Sequence, residues 1–181
     1  MTVLNGIATV EKPPAPWTTL GIFAIGGLFA VGFADGSDLL QVVSSQGNGV
    51  FDCTNGERLA RDYADVFGLF DEVTLEVQGV GPLQGMLIPT AGLNGGSLPS
   101  ETSDGWQLQD ELTESRHPLR GPIHSIFLKQ TAPYQEPERI CVGNEEPCEL
   151  RAYGFSPTGH SFVIASSCQI EIFCRSGQTA K

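Results

Sequence analysis

The chain repeats itself. Ala30–Cys53 (AVGFADGSDLLQVVSSQGNGVFDC) lies over Ala152–Arg175 (AYGFSPTGHSFVIASSCQIEIFCR) without a gap, at a constant offset of 122 positions. Ala30/Ala152, Gly32/Gly154, Phe33/Phe155, Ser44/Ser166, Ser45/Ser167 and Phe51/Phe173 are identical, and Val50/Ile172 exchanges like for like. Two such copies near opposite ends of the chain imply one supersecondary unit used twice, each needing a neighbour to cover its apolar faces.

Each copy divides into strands by its own punctuation. Leu28–Phe33 and Glu149–Phe155 run into the turns Ala34–Asp38 and Ser156–His160, where Gly, Asp and Pro supply the dihedrals a reversal needs. The apolar runs Leu39–Ser44 and Phe162–Ser166 then read as second strands, and Gly49–Cys53 and Ile170–Cys174 as third strands. Thr54-Asn55-Gly56-Glu57 carries the Asn-Gly hairpin signal, and Arg58–Arg61 is expected to form a fourth strand in the first copy.

The order VGF, Gly-containing turn, LLQVVSS, GVFD, TNGE resembles a blade of a WD-type or related β-propeller, and YGFSPTGHSFVIASS, IEIF resembles a second blade. Phe51-Asp52 and Phe173-Cys174 stand where that family has a Trp-Asp pair. The resemblance implies blade-like antiparallel meanders. Propellers need four or more blades of about 40 residues, so a length of 181 and an unlike middle point away from a closed ring. The expectation is a mostly β single domain at 19–181, built as a sandwich, a barrel-like form or an incomplete propeller. Residues 1–18 are an extended lead-in governed by Pro13, Pro14 and Pro16, with Trp17 as its anchor.

Gly (22) and Pro (12) cut the rest of the chain into short segments, which suits strands and turns. Leu20–Ala34 is 15 residues without a charge. At roughly 22 Å it falls short of the roughly 30 Å a membrane core requires. Gly26-Gly27 at its centre predicts a tight turn between two apolar strands, so no membrane association is expected. In the middle, Val73–Val77 alternates like a half-buried strand, Ile123–Lys129 and Arg139–Val142 read as strands, and Gln130–Pro137 as a Pro-broken loop. Asp62–Glu72 reads as a helical turn or a loop, Gly79–Gly105 as a Gly-rich stretch, and Gln107–His117 as polar and acidic.

Chemistry-bearing patterns are sparse. The histidines His117, His124 and His160 have no partner defined by sequence, and no nucleophile elbow, zinc-protease or phosphate-loop motif is present, so no catalytic residue is assigned. Cys141-x6-Cys148 and Cys168-x5-Cys174 offer four thiols, but at spacings unlike zinc knuckles; no metal and no cofactor are expected. Asp35/Asp38 and Asp52/Asp62 sit in or beside turns, where Asp stabilises local backbone. Five cysteines and an N-terminus unlike a secretory leader favour free thiols in a cytoplasmic setting.

Lys and Arg number 10 against 21 Asp and Glu, a formal net charge of −11, which repels nucleic acid. The same charge suits a basic protein partner, as for an acidic inhibitor or bacterial-type immunity protein. A non-enzymatic protein-binding domain is the first expectation. The second is a small-molecule binder or hydrolase with its site in the Gly-rich middle loop. Long loops carry contacts, which selects Gly92–Trp106 and the residues Asn94, Trp106, Asp104 and, nearby, Met86.

Overall fold

The computed structural model describes residues 3–4, 7–63, 70–113, 122–131, 139–144 and 148–175. Its strands are, in chain order, β1 (Val3–Leu4), β2 (Ile7–Ala8), β3 (Trp17–Ala24), β4 (Leu28–Phe33), β5 (Leu39–Ser44), β6 (Gly47–Asp52), β7 (Glu57–Asp62), β8 (Phe70–Asp71) and β9 (Glu76–Gln78). There follow β10 (Leu87–Pro89), β11 (Ala91–Gly92), β12 (Trp106–Thr113), β13 (Ile123–Gln130), β14 (Arg139–Asn144), β15 (Leu150–Phe155), β16 (Ser161–Ser166) and β17 (Gln169–Arg175). All pairings are antiparallel. The chain is therefore mostly β, as expected. No helix among the described residues is long and apolar enough to cross a membrane.

Besides the short β1-β2 pair, there are four sheets: sheet I, β11-β4-β5-β6-β7; sheet II, β15-β16-β17-β3; sheet III, β10-β9-β8; and sheet IV, β12-β13-β14. The two repeats form the centres of sheets I and II, and they agree in register as well as in sequence. Val31 faces Val42 as Tyr153 faces Ile164, and Leu40 faces Phe51 as Phe162 faces Phe173. The same irregularity interrupts both, between Leu28 and Ala30 and between Leu150 and Ala152. Outside the ladders, Cys53 N–H donates to Asp38 O as Arg175 N–H donates to His160 O.

Because successive side chains in a strand point to opposite faces, each repeat sheet has two apolar sides. In sheet I, Ala30, Val43 and Val50 pack against Val77 and Ile88 of sheet III. Its other side, Val31, Phe33, Leu40, Val42 and Phe51, meets Val163, Ala165, Ile170 and Ile172 of sheet II. Sheet II then turns Phe155, Phe162, Ile164 and Phe173 to Trp106, Leu108, Ile126 and Leu128 of sheet IV. The stack order is III–I–II–IV, with the repeats head to tail. Ala165 and Ile172 face sheet I just as their equivalents, Val43 and Val50, face sheet III. A two-fold sandwich would bury equivalent faces together, and a barrel would close one sheet on itself. Neither occurs.

Leu20–Ala34 does contain two strands around Gly26-Gly27, but they are not a hairpin. β4 pairs with β5 and β11, whereas β3 pairs with β17, so the turn carries the chain from one sheet to the next. β3 thereby fills in sheet II the outer place that β7 fills in sheet I. Trp17, at its start, is buried against Trp106, Phe155 and Phe162, with ring centroids 5.7, 5.6 and 4.9 Å away. The anchor role expected of it holds.

Of the polar, acidic stretch Gln107–His117, the part through Thr113 is strand, with Trp106 and Leu108 buried on either side of Gln107, and residues 114–117 lie outside the described residues. Two other expectations need correction. The expected strand Val73–Val77 is shorter: Asp71 accepts N–H bonds from Val73 and Thr74, closing a turn, and Leu75 takes a left-handed conformation, so pairing starts at Glu76. Cys148 and Cys168 form a disulfide, so the free-thiol reading fails for this pair. Their Cα atoms are brought to 6.1 Å by the repeat itself, since Ser167 N–H bonds Glu149 O next to them. Of Asp62–Glu72, residues 64–69 lie outside the described residues, as do 132–137 of the expected loop; Asp62 ends β7, and Phe70–Asp71 is β8 with Glu72 in the turn after it.

Candidate protein-contact surface

The four residues selected from sequence do not converge. Asn94 is exposed in a tight turn closed by Gly92 and Gly95. Asp104 is exposed too, yet occupied: both its oxygens receive Arg175, at 2.6 and 2.9 Å, and Thr102 Oγ1 donates to it at 2.6 Å. The Arg175 guanidinium holds the Asp104 carboxyl down at about 2. Trp106 is only 4% exposed, packed edge-on to Trp17, so it serves the core and offers no contact surface. Met86, 41% exposed just before β10, borders an open surface.

That surface is the outer face of sheet III. Leu87 pairs with Gln78, Pro89 with Glu76, and Asp71 with Glu76, and these side chains point away from sheet I while Val77 and Ile88 point into it. Leu87 is 60% exposed and Met86 41%; Val73, in the β8–β9 turn, is 92% exposed. Glu76 and Gln78 of the central strand β9 lie between Leu87 and Pro89 on one side and Asp71 on the other, so the face joins an apolar edge to an acidic middle, and Glu72 is exposed in the adjoining turn. N–H bonds from Thr74 and then Val73 lower the Asp71 carboxyl below its usual range, so it stays ionised into acid. No Lys, Arg or His occurs between Arg61 and Arg116, so nothing in this stretch of sequence offsets the acids. The charge gap was visible in the sequence; the outward aim of Leu87 required the register. At the opposite end of the stack, Glu11 N–H of the lead-in donates to Cys141 O of the edge strand β14 at 2.8 Å, and Phe127 and Cys141 are buried while Leu112 on β12 is exposed.

Among the described residues, one histidine has a carboxylate partner that sequence did not define. His124 Nδ1 and Asp110 Oδ2 are 2.7 Å apart across β12 and β13, whereas His117 lies outside the described residues. Burial, and after it the Asp110 carboxylate, raises the neighbouring Tyr153 hydroxyl. No serine or cysteine hydrogen bonds this pair. Burial likewise pushes the Cys53, Cys141 and Cys174 thiols up, which disfavours the thiolate a nucleophile needs. Among the described residues no group of three or more His, Cys, Asp or Glu is placed to hold a metal. Asp52 and Asp62 are held at opposite ends of the β6–β7 ladder, and Asp38 is engaged by Ser161 and Thr158.

No protein-family model, no curated protein and no solved structure matches the chain.

Proposed function

We propose that this chain is a non-enzymatic protein-binding module that docks a basic partner on the outer face of sheet III. The observation that carries the reading is the exposed face of sheet III, where Leu87 and Pro89 lie beside Glu76 and Asp71, with Val73 exposed in the adjoining turn. The apolar side chains supply affinity by burial, and the acids beside them speed encounter with a cationic surface. The head-to-tail stack, with β3 completing the sheet of the second repeat, supports calling the scaffold an incomplete, propeller-like fan. An acidic inhibitor or immunity-type protein is the role we assign. The Cys148–Cys168 disulfide favours oxidising surroundings over a reducing cytoplasm.

The test is isolation of complexes from extract of the source cells at low salt, with Leu87→Arg compared against wild type. Leu112→Arg, at an exposed position on sheet IV, is the control. A basic partner held by wild type and the control, released as screening increases, and lost from Leu87→Arg is the expected result. The same partner retained by Leu87→Arg, or no complex at all, would refute the docking face.

A further inference from the structure

A second surface has the opposite charge. Between sheets I and II lies a cavity of about 90 Å³, several times what a single water needs, lined by Ile25, Val42, Gly49, Phe51, Arg58 and Arg61 among others. The two arginines are three positions apart and would ordinarily project from opposite faces of a strand. They do not, because Phe51 faces Arg58 and Val50 faces Ala60, leaving Leu59 as an extra residue in β7. This bulge returns Arg61, opposite Gly49, to the same face as Arg58. Gly49 supplies no side chain to the floor. A Cβ there would meet only Ala60 O at 3.4 Å and the Phe51 ring at 4.0 Å, so the gap is room and not a forced close approach.

Among the described residues neither guanidinium has a carboxylate partner. Arg139 pairs with Glu111, Arg151 with Glu149 and Arg175 with Asp104. Arg58 and Arg61 have no ion pair among the described residues, and Arg61 instead lies 4.8 Å from the Tyr63 ring centroid. Both arginines are exposed to solvent, so neither needs a partner for stability, and both guanidinium forks stand open at the cavity mouth to receive an anion.

We propose that this cavity is a binding site for a small organic oxyanion. Its charged group, a carboxylate or a phosphate ester, bridges Arg58 and Arg61, and its apolar body lies on Ile25, Val42 and Phe51. Guanidinium forks match either group geometrically, and the apolar walls favour an organic acid over a bare inorganic ion.

The probes are benzoate, phenyl phosphate and inorganic phosphate, titrated into the intact chain while the backbone amides of Gly47, Gly49 and Arg61 are followed by NMR. Saturable shifts at these amides with either phenyl compound, in the millimolar range or tighter, are expected. Inorganic phosphate is expected to bind more weakly. The stronger phenyl compound identifies the natural group as carboxylate or phosphate. R58Q/R61Q is expected to weaken binding at least about tenfold, the loss of charge-assisted hydrogen bonds. Gly49→Leu, which keeps both arginines and fills the floor, is expected to abolish it with the remaining amide spectrum unchanged. No saturable shift with either phenyl compound up to about 20 mM, or equal affinity in R58Q/R61Q, would overturn the proposal.

Discussion

Asp38 is the joint between the two repeats, and its removal gives a sharp test of the packing. The carboxylate sits in the β4–β5 turn, half-buried, and reaches across to sheet II. Ser161 Oγ donates to Oδ1 at 2.6 Å and Thr158 Oγ1 donates to Oδ2 at 2.8 Å. Hydrogen bonds to a charged group contribute about 1.5–3 kcal/mol each, reduced here because the Thr158 bond is exposed. Asp38→Ala also leaves the hydroxyl of Ser161, which is 0% exposed, without this acceptor. We therefore expect Asp38→Ala to cost about 2–3 kcal/mol, lowering Tm by roughly 4–10 °C for a chain of this size. Asp38→Asn, which keeps one oxygen acceptor, should cost about half as much. Urea unfolding at constant m is the assay, with the exposed Asp35→Ala in the same turn as control, expected within about 0.5 kcal/mol of wild type. If Asp38→Ala unfolds at the same urea concentration as Asp35→Ala, the inter-sheet bonds contribute nothing and the reasoning fails.

Two further outcomes follow from named contacts. The Asp104 carboxyl is lowered to about 2 by Arg175, so the pair stabilises the fold above the ordinary carboxyl range near pH 4 and loses that contribution as pH falls through about 2. Asp104 is half exposed, so Asp104→Asn should cost only about 0.5–1 kcal/mol at pH 7 and nothing at pH 2, measured by denaturation at both pH values. Cys148→Ser opens a loop of sequence separation 20 and should cost about 2–4 kcal/mol; a reducing agent should shift wild type to the same Tm and leave the variant unmoved.

The repeat was legible because its signals are local: Gly36, Gly56 and Gly159, at positive φ, mark the reversals, and apolar runs fill the strands between them. How the repeats stack was not legible. Nothing in Leu20–Ala34 says that β3 belongs with β17, a pairing between distant ends of the chain. Gly32 and Gly154 are identical for a reason visible only in three dimensions: a Cβ would overlap Pro89 O at the first, and Leu98 Cβ and Pro99 O at the second. The strand at Trp106–Thr113 was hidden because Asp110 and Glu111 lend it a polar composition, although Trp106 and Leu108 alternate. Among the residues selected for contact, Trp106 was drawn to the surface by its loop neighbours when its ring belongs to the core. Arg58 and Arg61 escaped notice because the bulge that aligns them has no sequence signature.

The central claim is that the repeats stack in the same sense, each turning equivalent faces the same way. Methyl NOEs decide it directly. The stack places the Ile172 methyls against the Val42 and Phe51 side of sheet I, and the Ile164 methyls against Ile126 and Leu128 of sheet IV. Cross-peaks from Ile172 to Val42 and from Ile164 to Ile126 are the predicted result. Cross-peaks joining Val42 to Ile164, its own equivalent in the other repeat, would show the two sheets packed face to face and contradict the account.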